Sequence, residues 1–189
     1  MKKIAIFASG SGSNFEQITE YFKKNTTAKV AMLVCNKPEA GVVQRANRLH
    51  VPVVLISDRT LRNPEILLQT LHSEGISLIV LAGFLKLIPQ TLIAAFPDKI
   101  LNIHPSLLPK FGGKGMYGNK VHEAVLASAE KNSGITIHLV TPEYDKGAVV
   151  FQQMLPIAPD ETVASLAQKI HELEHKHYAR VIEKAALRA

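Results

Sequence analysis

Lys3-Ile4-Ala5-Ile6-Phe7-Ala8-Ser9-Gly10-Ser11-Gly12-Ser13-Asn14 is the stretch whose reading decides the fold. Lys3–Ala8 is an apolar, partly β-branched run and reads as a strand. Ser9–Ser13 is a Gly/Ser turn. From Asn14 to Lys24 the apolar residues recur at helical spacing. A strand, a tight turn and a helix in immediate succession are half of a parallel crossover unit, and the pattern continues downstream.

Working outward, Lys29–Cys35 reads as a second strand and Gly41–Leu49 as a helix. Val53–Ile56 is a short third strand. Asn63-Pro64 is a helix start, with Asn63 as cap and Pro64 in the first turn, for a helix running to Ser73 and ended by Gly75. Leu78–Ala82 is a buried strand, Pro89–Phe96 a short helix and Ile100–His104 a further, central strand. Phe111–Gly118 is a flexible loop carrying four glycines. Lys120–Ala129 is helical. Ile135–Val140 and Ala148–Pro156 are strands joined by Thr141–Gly147, too short for a helical crossover, so this pair is antiparallel. The last helix begins near Thr162. The expected fold is α/β, with helices on both faces of a mostly parallel, twisted sheet whose C-terminal part is antiparallel. No repeat or linker breaks residues 1–189, which read as one domain.

The composition is that of an ordinary globular protein: 47% hydrophobic and 20% charged residues in 189. No apolar run reaches membrane-spanning length, and the N-terminal run ends without a cleavage pattern. Cys35 is the single cysteine, so no internal disulfide is possible, and a reducing, cytoplasmic setting is expected. It closes an apolar run and reads as a buried, inert thiol. The net charge of +6 is scattered and has few aromatic partners. It suits small anionic ligands better than nucleic acid.

Asn102-Ile103-His104-Pro105 places an amide and an imidazole two apart at a strand end, on the same side of the sheet. Such a pair can stabilise an oxyanion and move a proton, although a turn Asn beside a strand-capping His is the plainer reading of those residues alone. Ser9–Asn14 is an anion site in waiting, with glycines and helix N–H groups together. It fails the dinucleotide fingerprint, since Phe15 stands at the third glycine and Cys35-Asn36-Lys37 supplies no acid after the second strand. A phosphomonoester is the better ligand; a simple Gly/Ser turn is the alternative.

His171-Glu172-Leu173-Glu174-His175 matches the zinc-peptidase pattern HExxH. On a helical wheel, however, the apolar stripe runs through Val163, Leu166, Ala167, Ile170, Leu173, His177 and Val181. Glu172 points off it and no third ligand follows. Glu174 falls inside the stripe and must meet a cation, a buried donor or a ligand hydroxyl. Ala82–Pro89 could wall an apolar pocket for a flat heterocycle, or be ordinary core. Asp145 reads as a turn residue that could instead orient His104 and raise its pKa. His138 reads as a core histidine, and His50, His72 and His122 as surface or helix-end residues.

These motifs together resemble the phosphoribosylglycinamide formyltransferases of purine synthesis. The resemblance rests on GSGSN at Gly10–Asn14, VCNKPEAG at Val34–Gly41, LAGFLKLIP at Leu81–Pro89, NIHPSLLPKF at Asn102–Phe111, GITIHLV at Gly134–Val140 and DKG at Asp145–Gly147. It implies a Rossmann-like formyltransferase fold and no metal. It also implies transfer of the formyl group of 10-formyltetrahydrofolate, the co-substrate, to the amine of glycinamide ribonucleotide. Gly12, Ser13 and Asn14 would bind the phosphate, and Glu174 and His171 the rest of the ribonucleotide. Leu85, Lys86, Leu87, Ile88, Asn102, Val140, Thr141 and Asp145 would hold the folate, with Arg59 preferred over Arg62 as the arginine that reaches it. Asn102, His104 and Asp145 would be catalytic. Asn102 and a protonated His104 would stabilise the formyl oxygen, while Asp145 keeps His104 charged. Phe111-Gly112-Gly113 replaces a common proline-containing segment, so a more mobile loop is expected. No nucleic acid or membrane partner is expected, and the protein would be a monomer or homodimer. Formyltetrahydrofolate hydrolases and methionyl-tRNA formyltransferases share the central motif but usually carry a further domain. The hydrolase is the nearest alternative, and a zinc peptidase through His171 and His175 is the alternative from another class.

Overall fold

The computed structural model describes residues 1–189. Seven strands form one sheet: β1 (Lys2–Phe7), β2 (Ala28–Cys35), β3 (Val53–Leu55), β4 (Ile76–Leu81), β5 (Ile100–His104), β6 (Asn132–Leu139) and β7 (Val149–Pro156). Their spatial order is β3-β2-β1-β4-β5-β6-β7. The first five pair in parallel, and β6 runs antiparallel to both β5 and β7. The expected mixed sheet is the observed one, although β5 is an inner strand rather than the central one.

The strands are apolar on both faces because both are covered. Along β1, Ile4 and Ile6 enter one buried cluster while Ala5 and Phe7 enter the other. The larger cluster lies beneath α1 (Ser13–Lys23), α2 (Gly41–Arg48), α6 (Asn119–Ala127) and α7 (Val163–Arg188). The smaller lies beneath α3 (Asp58–Arg62), α4 (Glu65–Ser73) and α5 (Gln90–Ala95). Helix α1 buries Phe15, Ile18, Thr19 and Phe22, an i, i+3, i+4, i+7 stripe. Helix α7 starts at a capping box between Thr162 and Ser165. No helix is long and apolar enough to cross a membrane.

One segment departs from the sequence reading. Asp58–Arg62 is helical, because Ser57 and Thr60 form a capping box that starts a turn there. Asn63 ends that turn instead of capping the next helix, and Pro64 occupies the cap position of α4. Gly75, at φ 67°, ends α4 as expected.

The sheet order reverses direction between β1 and β4. In such sheets the loops leaving the two strands diverge, and a crevice opens at their carboxyl ends.

Candidate active site

Ser9, at the end of β1, fastens that crevice together. Its backbone N–H donates to the Gly83 carbonyl at 3.0 Å, after β4. Its buried hydroxyl donates to Asn36 Oδ1 at 2.6 Å and accepts the Leu85 N–H at 3.3 Å. The resulting cleft has a volume of about 490 Å³, a size that suits small-molecule ligands.

One end of the cleft is the turn before α1. Gly12 sits at φ 84° in the helix-capping position, and no side chain caps the helix. The first N–H groups of α1 are therefore free to meet an anion. A Cβ on Gly12 would lie 2.6 Å from Val42 Cβ, so only glycine fits. Glu174 closes this end from α7. It is 6% exposed and accepts a hydrogen bond from Asn14 Nδ2 at 2.8 Å. Burial pushes its pKa up, against Asn14 and the nearby His171. The carboxylate in the apolar stripe has thus found a donor, the half-buried Asn14.

The floor is the end of β5. Asn102 lies directly across from His138 on β6, and Asn102 Nδ2 is 3.0 Å from His138 Nε2. His138 Nδ1 faces the Leu139 carbonyl at 2.8 Å, so that nitrogen carries the proton. Nε2 is left as the acceptor for one Asn102 N–H. The other N–H side of the amide looks toward Asp145 Oδ1 at 3.5 Å, long enough for a ligand oxygen to take it over.

His104 is 3% exposed. Its Nε2 donates to the Phe111 carbonyl at 2.8 Å, and its Nδ1 lies 3.5 Å from Asp145 Oδ2. Burial holds its pKa below the ordinary histidine range; Asp145 and the Phe111 carbonyl pull it up, and His138 adds to the lowering. Asp145 acts in the direction expected of it, but burial is the larger effect and shifts His104 toward the neutral imidazole. Burial also pushes Asp145 up, but the Gly113 N–H, donated to Oδ2 at 2.8 Å, and the pull of a proton on either neighbouring imidazole outweigh it and hold its pKa below the usual range.

The start of the glycine loop is pinned by these same groups. Gly112 has no room for a side chain, since a Cβ would stand 2.5 Å from Leu108 Cδ2 and 3.1 Å from Asp145 Cβ. Phe111 and Asp145 both hold left-handed backbone, at φ 57° and 56°. Upstream, the Leu108 N–H donates to Thr136 Oγ1 at 3.0 Å, and Gln152 Nε2 donates to the Leu108 carbonyl at 3.1 Å. The expected free loop is thus anchored at its first residues by His104 and Asp145.

Gly12, Ser13, Asn14, Leu85, Lys86, Leu87, Ile88, Asn102, His104, Val140, Thr141, Asp145, His171 and Glu174 all line the one cleft. Arg59 does not: it stands on α3, beside a separate depression edged by Leu55 and Ile66. Lys86, while lining the cleft, pairs with Asp58 at 2.9 Å. His171 and His175 stack with ring centroids 6.4 Å apart, and no group of three His, Cys, Asp or Glu side chains is arranged to hold a metal ion.

The cleft roles of two residues escaped the sequence reading. His138 is buried and hydrogen-bonded, as expected of a core histidine, and beyond that its Nε2 stands against the Asn102 amide. His122, taken as a surface residue, is 3% exposed, lines the cleft and has an unpartnered Nδ1. The signal for His138 was the antiparallel pairing of β5 and β6, which brings it opposite Asn102 once the register is known.

The chain is similar to known proteins over nearly its whole length. The formyl transferase family profile matches residues 2–182, and the chain belongs to that family. It is 40% identical over 188 residues to a phosphoribosylglycinamide formyltransferase of Bacillus subtilis, covering 97% of this chain and 94% of that one. It is 45% identical over 187 residues to a chloroplastic phosphoribosylglycinamide formyltransferase of Vigna unguiculata, covering 96% of this chain but 60% of the plant protein. The chain therefore spans about three fifths of that relative. Among solved structures, a glycinamide ribonucleotide transformylase of Geobacillus kaustophilus superposes with a TM-score of 0.87 at 38% identity, covering 97% of this chain and 98% of that one.

Proposed function

We propose that this protein transfers the formyl group of 10-formyltetrahydrofolate to the amine of glycinamide ribonucleotide, a step of purine biosynthesis. The observation that carries the reading is the convergence of Asn102, His104 and Asp145 on the floor of a cleft, in a chain of the formyl transferase family. One end of that cleft offers helix N–H groups and a buried carboxylate. The phosphate would sit on Gly12, Ser13 and Asn14, the ribose hydroxyls on Glu174, with His171 alongside. The folate would lie between Leu85–Ile88 and Val140–Thr141. We assign residues 1–189 to one domain, acting on small molecules in the cytoplasm.

The reaction needs an electron sink and a proton path. The amine nitrogen attacks the formyl carbon, and the C=O electron pair moves onto oxygen. Asn102, its amide fixed by His138, donates to that oxygen. One such donor is worth about 3–4 kcal/mol in comparable oxyanion sites. The attacking nitrogen then carries an extra proton. A neutral His104 can accept it on Nδ1, directly or through one water. The imidazolium that forms faces the ionised Asp145 at 3.5 Å. When the bond from the formyl carbon to the folate nitrogen breaks, the oxygen's electron pair re-forms C=O and His104 returns the proton to that nitrogen. Burial thus keeps His104 able to receive a proton, and Asp145 stabilises it once it has. Holding both substrates in one cleft removes much of the entropic barrier.

The test is substitution. Asn102→Ala and His104→Ala should each lower kcat by roughly 10²–10⁴-fold while ribonucleotide affinity stays within a few-fold. Unchanged turnover in either variant would overturn the assignment.

A further inference from the structure

A loop presents its N–H groups to an anion only when its carbonyls are turned away and held there. In the turn before α1, three consecutive carbonyls are held. The Gly10 carbonyl accepts the Val42 N–H at 3.1 Å and the Gly12 carbonyl accepts the Glu16 N–H at 3.0 Å. Between them, the Ser11 carbonyl accepts from the side chain of Arg45, Nε–H, at 2.9 Å. The two flanking ties are backbone to backbone and indifferent to side-chain identity. The middle one depends on a single residue of α2.

Arg45 is itself held. Its guanidinium also pairs with Glu16, in the first turn of α1, and Glu16 pairs on its other oxygen with Arg48. Glu16 is only 23% exposed. The Ser11 carbonyl sits close over the start of α2, where a Cβ on Gly41 would stand 3.2 Å from it. Arg45 therefore stretches behind the loop, joining α2 to both the loop carbonyl and α1. It is not among the residues lining the cleft.

We propose that Arg45 is a positioning residue for the phosphomonoester site. Through the Ser11 carbonyl it keeps the loop N–H groups facing the cleft, and through Glu16 it fixes α1 against α2. This rests on the reading that Gly12–Asn14 takes a phosphate. The geometry assigns the effect to a directed tie and not to charge alone. A lysine carries its N–H groups on one nitrogen and lacks the separate Nε and Nη donors with which Arg45 spans the carbonyl and the carboxylate together.

The experiment measures competition by inorganic phosphate and by ribose 5-phosphate, with steady-state kinetics, in the intact protein and in Arg45→Gln, Arg45→Lys and Glu16→Gln. Arg45→Gln should weaken both phosphate probes and raise KM for the ribonucleotide roughly 5- to 20-fold. kcat at saturation and KM for the folate should stay within about twofold of the intact protein. Arg45→Lys should recover little of the loss, and Glu16→Gln should fall between. Unchanged phosphate inhibition in Arg45→Gln overturns the proposal. Full recovery by Arg45→Lys also overturns it, since charge alone would then suffice. A loss of melting temperature and kcat with unchanged phosphate inhibition would reveal a merely structural role. If phosphate does not compete even in the intact protein, the phosphate reading of the loop falls, and the proposal with it.

Discussion

His104 Nδ1 and Asp145 Oδ2 face each other at 3.5 Å, and the two side chains are only 4% and 10% exposed. In this pair burial sets the resting state and Asp145 opposes it. Replacing Asp145 by Asn removes the main upward pull on His104, so its pKa should fall further. The acid limb of kcat/KM, where protonation of His104 blocks proton acceptance, should therefore move to lower pH. At the same time kcat should drop, because the imidazolium formed during reaction has lost its partner. A pH–rate profile paired with an NMR titration of the His104 ring checks both. A limb that moves to higher pH would contradict the account.

Asn102 and His138 form a donor and its support. His138→Leu keeps the volume but removes the acceptor that aligns the Asn102 amide. The expected loss in kcat is about 10-fold, smaller than for Asn102→Ala, because the donor remains but wanders. In the double variant the two losses should not add, since both report on one hydrogen bond. Steady-state kinetics on the two single variants and the double variant decide it.

Glu174 sets stability against binding. Its carboxylate is buried, and burial raises its pKa. A group with a raised folded pKa favours the fold at pH values below its unfolded pKa, and this support is lost as pH rises through the folded pKa. Once ionised, the buried carboxylate is therefore a burden on the fold. Glu174→Gln keeps an oxygen to accept from Asn14 without the charge, so the melting temperature should hold or rise. KM for the ribonucleotide should rise roughly 10- to 100-fold, as expected for losing a charged acceptor. Thermal melts and kinetics on this variant check the opposite signs.

Acid should destabilise the protein before the carboxylates titrate. His104 and His122 both have pKa values lowered by burial. Below the ordinary histidine pKa of about 6.5, the unfolded chain takes up protons that the fold refuses, so stability falls as pH falls. Asp145, with its lowered pKa, adds a further loss only at lower pH, below the ordinary Asp range. Urea midpoints measured from pH 7.5 to pH 5 should decline, and His122→Phe should flatten the decline. Glu174, with its raised pKa, acts with the opposite sign as pH falls, so the histidine effect is read from the difference between the two proteins, and a pH dependence identical in His122→Phe would exclude a buried neutral His122.

The fold was legible where local chemistry decides it. Strand, Gly/Ser turn and helix follow from Lys3–Lys24, and the short Thr141–Gly147 connection dictates the antiparallel pair. The site was legible where a residue broke its own pattern, as Glu174 does in an apolar stripe and Asn102-x-His104 does at a strand end. What escaped depends on distance in sequence. His138 reaches Asn102 through the register of β5 on β6, and no local pattern carries that register. The protonation of His104 depends on how deeply the assembled cleft buries it, and Asp145 alone suggested the opposite sign. Arg59 was placed by analogy across a gap, and the Ser57–Thr60 capping box there builds a short helix that carries it away from the cleft lining.

The most direct measurement follows the formyl carbon itself. The intact protein is given 10-formyltetrahydrofolate labelled with carbon-13 in the formyl group, with and without glycinamide ribonucleotide, and the products are read by mass spectrometry. The account expects the label on the ribonucleotide amine, in amounts equal to the folate consumed, and little consumption when the amine is withheld. Labelled formate released at the same rate with or without the ribonucleotide would contradict it and would mark the cleft as a hydrolase.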